Sequence, residues 1–179
     1  ITRLIVTMPP RHGKSEMASR RLPAYFLGKF PQKEIICATY NSDFASEFGR
    51  NVREIVNTEE YKNVFPQLSI KTTDRAADRW AVTQGGGFRA AGVGGGLTGR
   101  GGHLIIIDDP IKSREEADSK LQRDRVWDWY RSVVYTRQAP NSVFIVIQTR
   151  WHDDDLVGRL LAEAEKEGEQ WDTVDFPAI

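Results

Sequence analysis

A lone cysteine, a balanced charge and the lack of any long apolar run set the first limits on this 179-residue chain. Cys37 has no partner for an internal disulfide. It sits in the apolar stretch Ile35–Thr39 and reads as a small buried residue of a reducing compartment. Lys+Arg and Asp+Glu both number 25, so no basic surplus marks the chain as a nucleic-acid binder. Any DNA contact must come from a local patch or from parts outside this sequence. No stretch is long enough to span a bilayer, and none reads as a signal peptide. What is left, 40% apolar and 28% charged residues, is the composition of an ordinary globular domain with a well-sized core.

The most informative segment is LIVTMPPRHGKS, Leu4 to Ser15. Its β-branched start has the character of a central parallel strand. The segment from Glu16 to Leu22 reads as helix. Strand, tight loop, Gly13-Lys14-Ser15 and helix together make a phosphate-binding loop. Gly13 lets the backbone approach phosphates, Lys14 reaches β- and γ-oxygens, and the Ser15 hydroxyl suits Mg²⁺. The helix dipole and its free N–H groups favour an anion at the same point. This implies ATP binding. The full pattern G-x-x-x-x-G-K-[ST] requires glycine where Met8 stands, so the tripeptide alone is a weak signal. The insert Pro9-Pro10-Arg11-His12 adds a cation beside the phosphates.

Along the chain, strands alternate with helices. Glu34–Tyr40 reads as a strand, and Asn41-Ser42 cap a helix from about Asp43 to Asn57, with apolar residues at helical spacing. Residues 58–79 are polar and turn-rich, with Tyr61 and Phe65 as local anchors. Trp80–Thr83 and Phe88–Ala91 flank Gly85-Gly86-Gly87 as a hairpin. Gly92–Gly102 then holds seven glycines in eleven residues, which reads as a mobile or tightly turned loop without a core of its own. The strand His103–Ile107 is the most hydrophobic in the sequence. Ser113-Arg114-Glu115-Glu116 is a capping box opening a helix to about Tyr135. Ser142–Thr149 is another apolar strand, a helix follows from about Asp154 to Lys166, and Trp171–Phe176 reads as a last strand. The pattern predicts an α/β fold, a mostly parallel sheet with helices on both faces.

Leu104–Asp109, LIIIDD, is the second half of a nucleotidase. The apolar run buries a strand and delivers carboxylates at its C-terminal edge, where open α/β sheets bind ligands. Asp108 is placed to hold Mg²⁺ opposite Ser15, and Asp109 to orient and deprotonate the attacking water. An ordinary Asp-Asp-Pro turn is the plainer alternative. The pairing with Gly13-Lys14-Ser15 favours the functional one. His152-Asp153-Asp154-Asp155 looks like a metal cluster, but acids at a helix start are explained by N-capping and the dipole. Trp127, Trp129 and Trp151 read as packing residues rather than base-stacking platforms.

MPPRHGKSE, the loop GVGGGLTGRG, IIIDDPIKSREEA and QTRWHDDDLVGRLL occur in this order, and together they resemble the ATPase domain of tailed-phage terminase large subunits. The resemblance covers nearly the whole chain. It implies a P-loop NTPase of the additional-strand, conserved-Glu type, with ATP and Mg²⁺ as cofactors and double-stranded DNA as the translocated substrate. It also implies a homo-oligomeric ring, usually a pentamer, on the portal protein. The small terminase subunit is a further partner, and the setting is the host cytoplasm. In that family a nuclease domain follows. Residues 1–179 are therefore expected to be one ATPase domain cut from a longer chain, with no DNA cleavage of its own.

Family roles carry over where residues match. Arg11, His12, Gly13, Lys14 and Ser15 fall on the phosphate loop, Ser15 and Asp108 on the metal site, and Arg11 on an arginine that senses or stabilises the γ-phosphate. Arg100, in the glycine loop, matches an arginine that some terminases extend into the neighbouring subunit's site; a solvated loop cation is the alternative. Asp109 is one methylene shorter than the family's glutamate. Gln148, Thr149 and Arg150 resemble the coupling motif that senses γ-phosphate, or else form a polar strand end capping the next helix. Two other functions fit the residues less fully. A helicase-like translocase would need a second motor domain, and a nucleotide-dependent docking module would bind ATP without efficient hydrolysis.

Overall fold

Strands covered on both faces must be apolar on both, and the central ones of this chain are. In the computed structural model, which describes residues 2–97, 99 and 101–177, eight strands form one sheet. They are β1 (Thr2–Thr7), β2 (Glu34–Thr39), β3 (Ile70–Arg75), β4 (Arg79–Val82), β5 (Gly87–Gly92), β6 (Gly102–Asp108), β7 (Gln138–Gln148) and β8 (Asp172–Asp175). The order is β3-β4-β5-β2-β6-β7-β1-β8. Every pairing from β5 across to β8 is parallel, while β3–β4 and β4–β5 are antiparallel. Successive residues feed opposite cores. Ile35, Cys37, Leu104, Ile106, Ile145 and Ile147 face one layer. Ile36, Ala38, Ile105, Ile107, Phe144 and Val146 face the other.

The first layer is covered by a π-helical segment, Glu16–Arg21, which runs into α1 (Leu22–Lys29), and by α2 (Ser42–Asn57). Asn41 caps α2, its side-chain oxygen accepting from the Phe44 N–H at 2.8 Å. Gly49 lets α2 approach the chain at Ala77, whose carbonyl oxygen would collide with any added Cβ. The second layer holds α4 (Arg114–Asp118), α5 (Lys120–Trp129), which unwinds through a π turn and a 3-10 turn to Arg137, and α6 (Leu156–Glu167).

Four expectations change. The turn-rich stretch 58–79 contains α3 (Glu59–Val64) and the edge strand β3, so the hairpin is a three-stranded unit. Tyr61 and Phe65 do anchor it, both buried against α1. The single helix from Ser113 to Tyr135 is broken after Asp118, where Ser119 takes an extended conformation and caps α5 by accepting from the Gln122 N–H. The first helix continues beyond Leu22 to Lys29, although Pro23 lies within it. Proline lacks an N–H, and its ring collides with the carbonyl four residues earlier in α geometry. The preceding turn widens instead, with the Leu22 N–H reaching Met17 O. Finally, the glycine loop is pinned at its near end. Leu97 is buried in the second core, and Trp129 Nε1 donates to Gly95 O at 2.9 Å. No helix among the described residues is long and apolar enough to cross a membrane.

Candidate active site

The phosphate loop leaves β1 at Thr7 and crosses to the helix above β6 and β7. Its left-handed residues are Arg11 (φ 64°) and Gly13 (φ 85°). Met8 has no such requirement. Its N–H reaches Gln148 O at 3.3 Å, as a continuation of the β1–β7 ladder, so a side chain is tolerated where the common pattern has glycine. Arg11 and His12 stand exposed on the loop, with His12 Nδ1 2.8 Å from Pro10 O. Arg11 makes no ion pair among the described residues.

Strand alternation decides where the two aspartates point. Asp108 is in phase with Leu104 and Ile106, on the face covered by the phosphate-loop helix. It is 1% exposed, and both carboxylate oxygens accept hydroxyl bonds: Oδ1 from Ser15 Oγ at 3.1 Å, Oδ2 from Ser19 Oγ at 2.5 Å. Burial pushes its pKa up to about 6; the two serines oppose that shift, and Asp109 adds to it.

Asp109 leaves the strand in a left-handed conformation, φ 42°. Aspartate is among the few side chains that tolerate this region. Its N–H extends the β6–β7 ladder to Ile147 O at 2.9 Å. Its carboxylate takes the Thr149 N–H on Oδ1 at 2.7 Å and Lys14 Nζ on Oδ2 at 2.8 Å. Lys14, 7% exposed, also donates to Thr149 Oγ1 at 3.0 Å. The Thr149 hydroxyl in turn lies 3.4 Å from Met8 O. Five residues from three strand ends thus meet in one polar cluster: Lys14, Ser15, Asp108, Asp109 and Thr149.

The remaining sequence candidates lie apart. Gln148 is buried at the end of β7, 3% exposed. Arg150 turns away to Asp155, 2.7 Å from its Oδ2, and Asp155 caps α6 through the Gly158 N–H at 2.9 Å. Of the Asp153–Asp155 run, Asp155 is the N-cap of α6, while Asp154 pairs with Arg159 at 2.7 Å and Arg123 at 3.0 Å, which holds its carboxyl well below the usual range. No cluster of three or more His, Cys, Asp or Glu able to hold a metal occurs among the described residues. Arg100 lies outside the described residues. Trp129 is buried, and Trp127 and Trp151 pack against the second core. Sequence reasoning missed Ser19. Its signal was the four-residue spacing from Ser15, which puts both hydroxyls on one helix face.

Mg²⁺ suits this donor set. A small hard cation at a phosphate site takes one or two protein oxygens and completes its shell with water and phosphate. Ser15 Oγ and Asp108 Oδ1, 3.1 Å apart, are such a pair.

A family model for the N-terminal part of the terminase large subunit, T4likevirus-type, matches residues 5–179. No curated protein matches the chain. Among solved structures, the ATPase domain of the Thermus phage P74-26 large terminase is similar with a TM-score of 0.61 and 16% identity, over 83% of this chain and 60% of that one. The large terminase of a second thermophilic bacteriophage is similar with a TM-score of 0.57 and 12% identity, over 97% of this chain and 40% of that one. At these identities the likeness is one of fold, the P-loop NTPase fold, and this chain spans less than two thirds of either relative.

Proposed function

The chain belongs to the terminase large-subunit family, in its N-terminal part, and from that premise we propose that it hydrolyses ATP to drive double-stranded DNA into a procapsid. The supporting observation is the convergence of Lys14, Ser15, Asp108, Asp109 and Thr149 at the carboxyl ends of β1, β6 and β7. That is the position at which parallel α/β sheets bind ligands.

ATP binding draws Lys14 Nζ from Asp109 to the β- and γ-phosphate oxygens. Asp109 is then released as an acceptor, still aimed by the Thr149 N–H, and takes a proton from the attacking water. Ser15 and Asp108 are the residues that hold Mg²⁺, which when bound neutralises charge on the phosphate oxygens. Thr149 touches both Lys14 and Asp109, so loss of the γ-phosphate returns Lys14 to its hydroxyl and resets the end of β7. Arg150, fixed to the cap of α6, carries that movement into the helix. Arg11 and Arg100 are assigned to the transferring phosphoryl group, Arg11 from its own loop and Arg100 from the neighbouring subunit of a homo-oligomeric ring. Portal protein and small terminase subunit are the further partners, and residues 1–179 act as one ATPase domain.

Turnover per subunit tests this reading when measured across protein concentrations, with and without double-stranded DNA and procapsids. An arginine supplied in trans is worth on the order of 10³–10⁵ in rate. Turnover should therefore rise with assembly, and Arg100→Ala should abolish the rise while nucleotide binding persists. A rate indifferent to concentration, DNA and procapsids contradicts the motor assignment.

A further inference from the structure

Ser19 is fully buried, in the middle of a helix, and its hydroxyl does not do what the helical hydroxyls of Ser46 and Ser132 do. A helical serine ordinarily donates back to the carbonyl four residues earlier. Ser46 does so to Ser42 O at 2.8 Å, and Ser132 to Asp128 O at 2.6 Å. Ser19 instead donates across to the sheet, to Asp108 Oδ2 at 2.5 Å. It lies in the π-helical segment that Pro23 imposes, and the turn that accommodates that proline carries the hydroxyl.

From this we infer that Ser19 is a positioning residue for the metal-site acid, an inference that rests on the nucleotide site proposed above. The two oxygens of Asp108 are bonded differently. Oδ1 faces Ser15, which is partly exposed at the mouth of the helix and is free to turn its oxygen lone pair toward a cation. Oδ2 faces Ser19, which no solvent reaches. When Ser15 exchanges its bond for the cation, Ser19 is the one hydroxyl donor left on the carboxylate among the described residues. It fixes the carboxylate plane so that Oδ1 stays aimed at the site, and it supplies a hydrogen bond that the buried charge would otherwise lack. Residues standing behind a metal-binding carboxylate in this way change metal affinity by about 10- to 100-fold when removed.

Mn²⁺ binding, followed by electron paramagnetic resonance with a non-hydrolysable ATP analogue bound, tests this in wild type, Ser19→Ala and Ser19→Cys. Cysteine, somewhat larger than serine, keeps the space filled and offers only a weak S–H donor, and a reductant keeps it from pairing with the neighbouring Cys37 thiol. Analogue affinity in EDTA, which depends on Lys14 and the loop, serves as the parallel measurement. The expected result is unchanged analogue affinity in EDTA, with Mn²⁺ bound about 10- to 100-fold more weakly in both variants. Mn²⁺ affinity within twofold of wild type in both variants overturns the assignment. So does a loss in Ser19→Ala that Ser19→Cys restores, because that is the signature of packing alone. A wild-type chain that binds no analogue at all overturns the nucleotide site itself, and the role of Ser19 with it.

Discussion

Lys14 and Asp109 form an ion pair at 2.8 Å across the mouth of the phosphate loop, and Thr149 bridges the two. The cation that would hold the phosphates and the carboxylate that would activate water hold each other. In the proposed mechanism nucleotide breaks that pair and frees both groups together.

Asp109→Asn removes the charge and keeps the shape, including an acceptor for the Thr149 N–H. Turnover should fall by about 10²–10⁴, the range for loss of a general base. Nucleotide affinity should hold or improve, because Lys14 no longer has an anionic competitor. Single-turnover hydrolysis and equilibrium binding on the same preparation check the two halves; a variant that hydrolyses at the wild-type rate removes Asp109 from the chemistry.

Thr149→Val deletes the hydroxyl that receives Lys14 and leaves the backbone N–H on Asp109. The nucleotide-free protein should lose about 0.5–1.5 kcal/mol, the net worth of one such bond. The loss should shrink once an ATP analogue is bound, because Lys14 then has phosphate partners. Urea midpoints with and without the analogue measure the difference.

Asp108 gives a pH signature. Its pKa is 3.8 unperturbed and about 6 in the fold, so the folded protein binds this proton more tightly than the unfolded chain. In the metal-free protein its contribution to stability is therefore full below pH 3.8 and lost as pH rises through about 6. A cation replaces the proton. The thermal stabilisation by Mg²⁺ in the presence of an ATP analogue should grow between pH 5 and about 7.5, and Asp108→Asn should flatten that growth. Melting curves across this range decide it.

Trp129→Phe removes the indole donor from Gly95 O while keeping most of the buried area. The expected cost is about 1–2 kcal/mol, combining an orphaned carbonyl and a small void. Amide exchange should accelerate at Leu97 ahead of the sheet, because the near end of the glycine loop is held by these two contacts. Uniform acceleration across the molecule would contradict a local anchor.

The parallel strands were legible because burial on both faces leaves a continuous apolar run. The positions of Lys14, Ser15 and Asp108 were legible because the motifs fix their place at strand ends. Other features depend on tertiary contacts with little local signal. β3, Ile70–Arg75, is a polar edge strand whose pairing with β4 outweighs its composition. The break at Ser119 is a second cap hidden inside a helical pattern. The π turn before Pro23 widens a segment that otherwise reads as plain helix. The glycine loop read as mobile or tightly turned with no core of its own, but Leu97 gives its near end a place in the core. Thr149 read as one of three sensor residues; among them it alone reaches Lys14 and Asp109, while Arg150 pairs with Asp155.

The most direct measurement is Mg²⁺-dependent ATP turnover by wild type and Lys14→Ala, with ATP binding followed in parallel. The expected result is turnover in wild type that falls by at least ~10²–10³ in the variant, the scale for removing one preorganised charge-stabilising donor. Equal turnover in the two proteins, or ATP binding by wild type with no turnover in the assembled ring on DNA and procapsids, would contradict a P-loop ATPase built on Lys14 and Asp109.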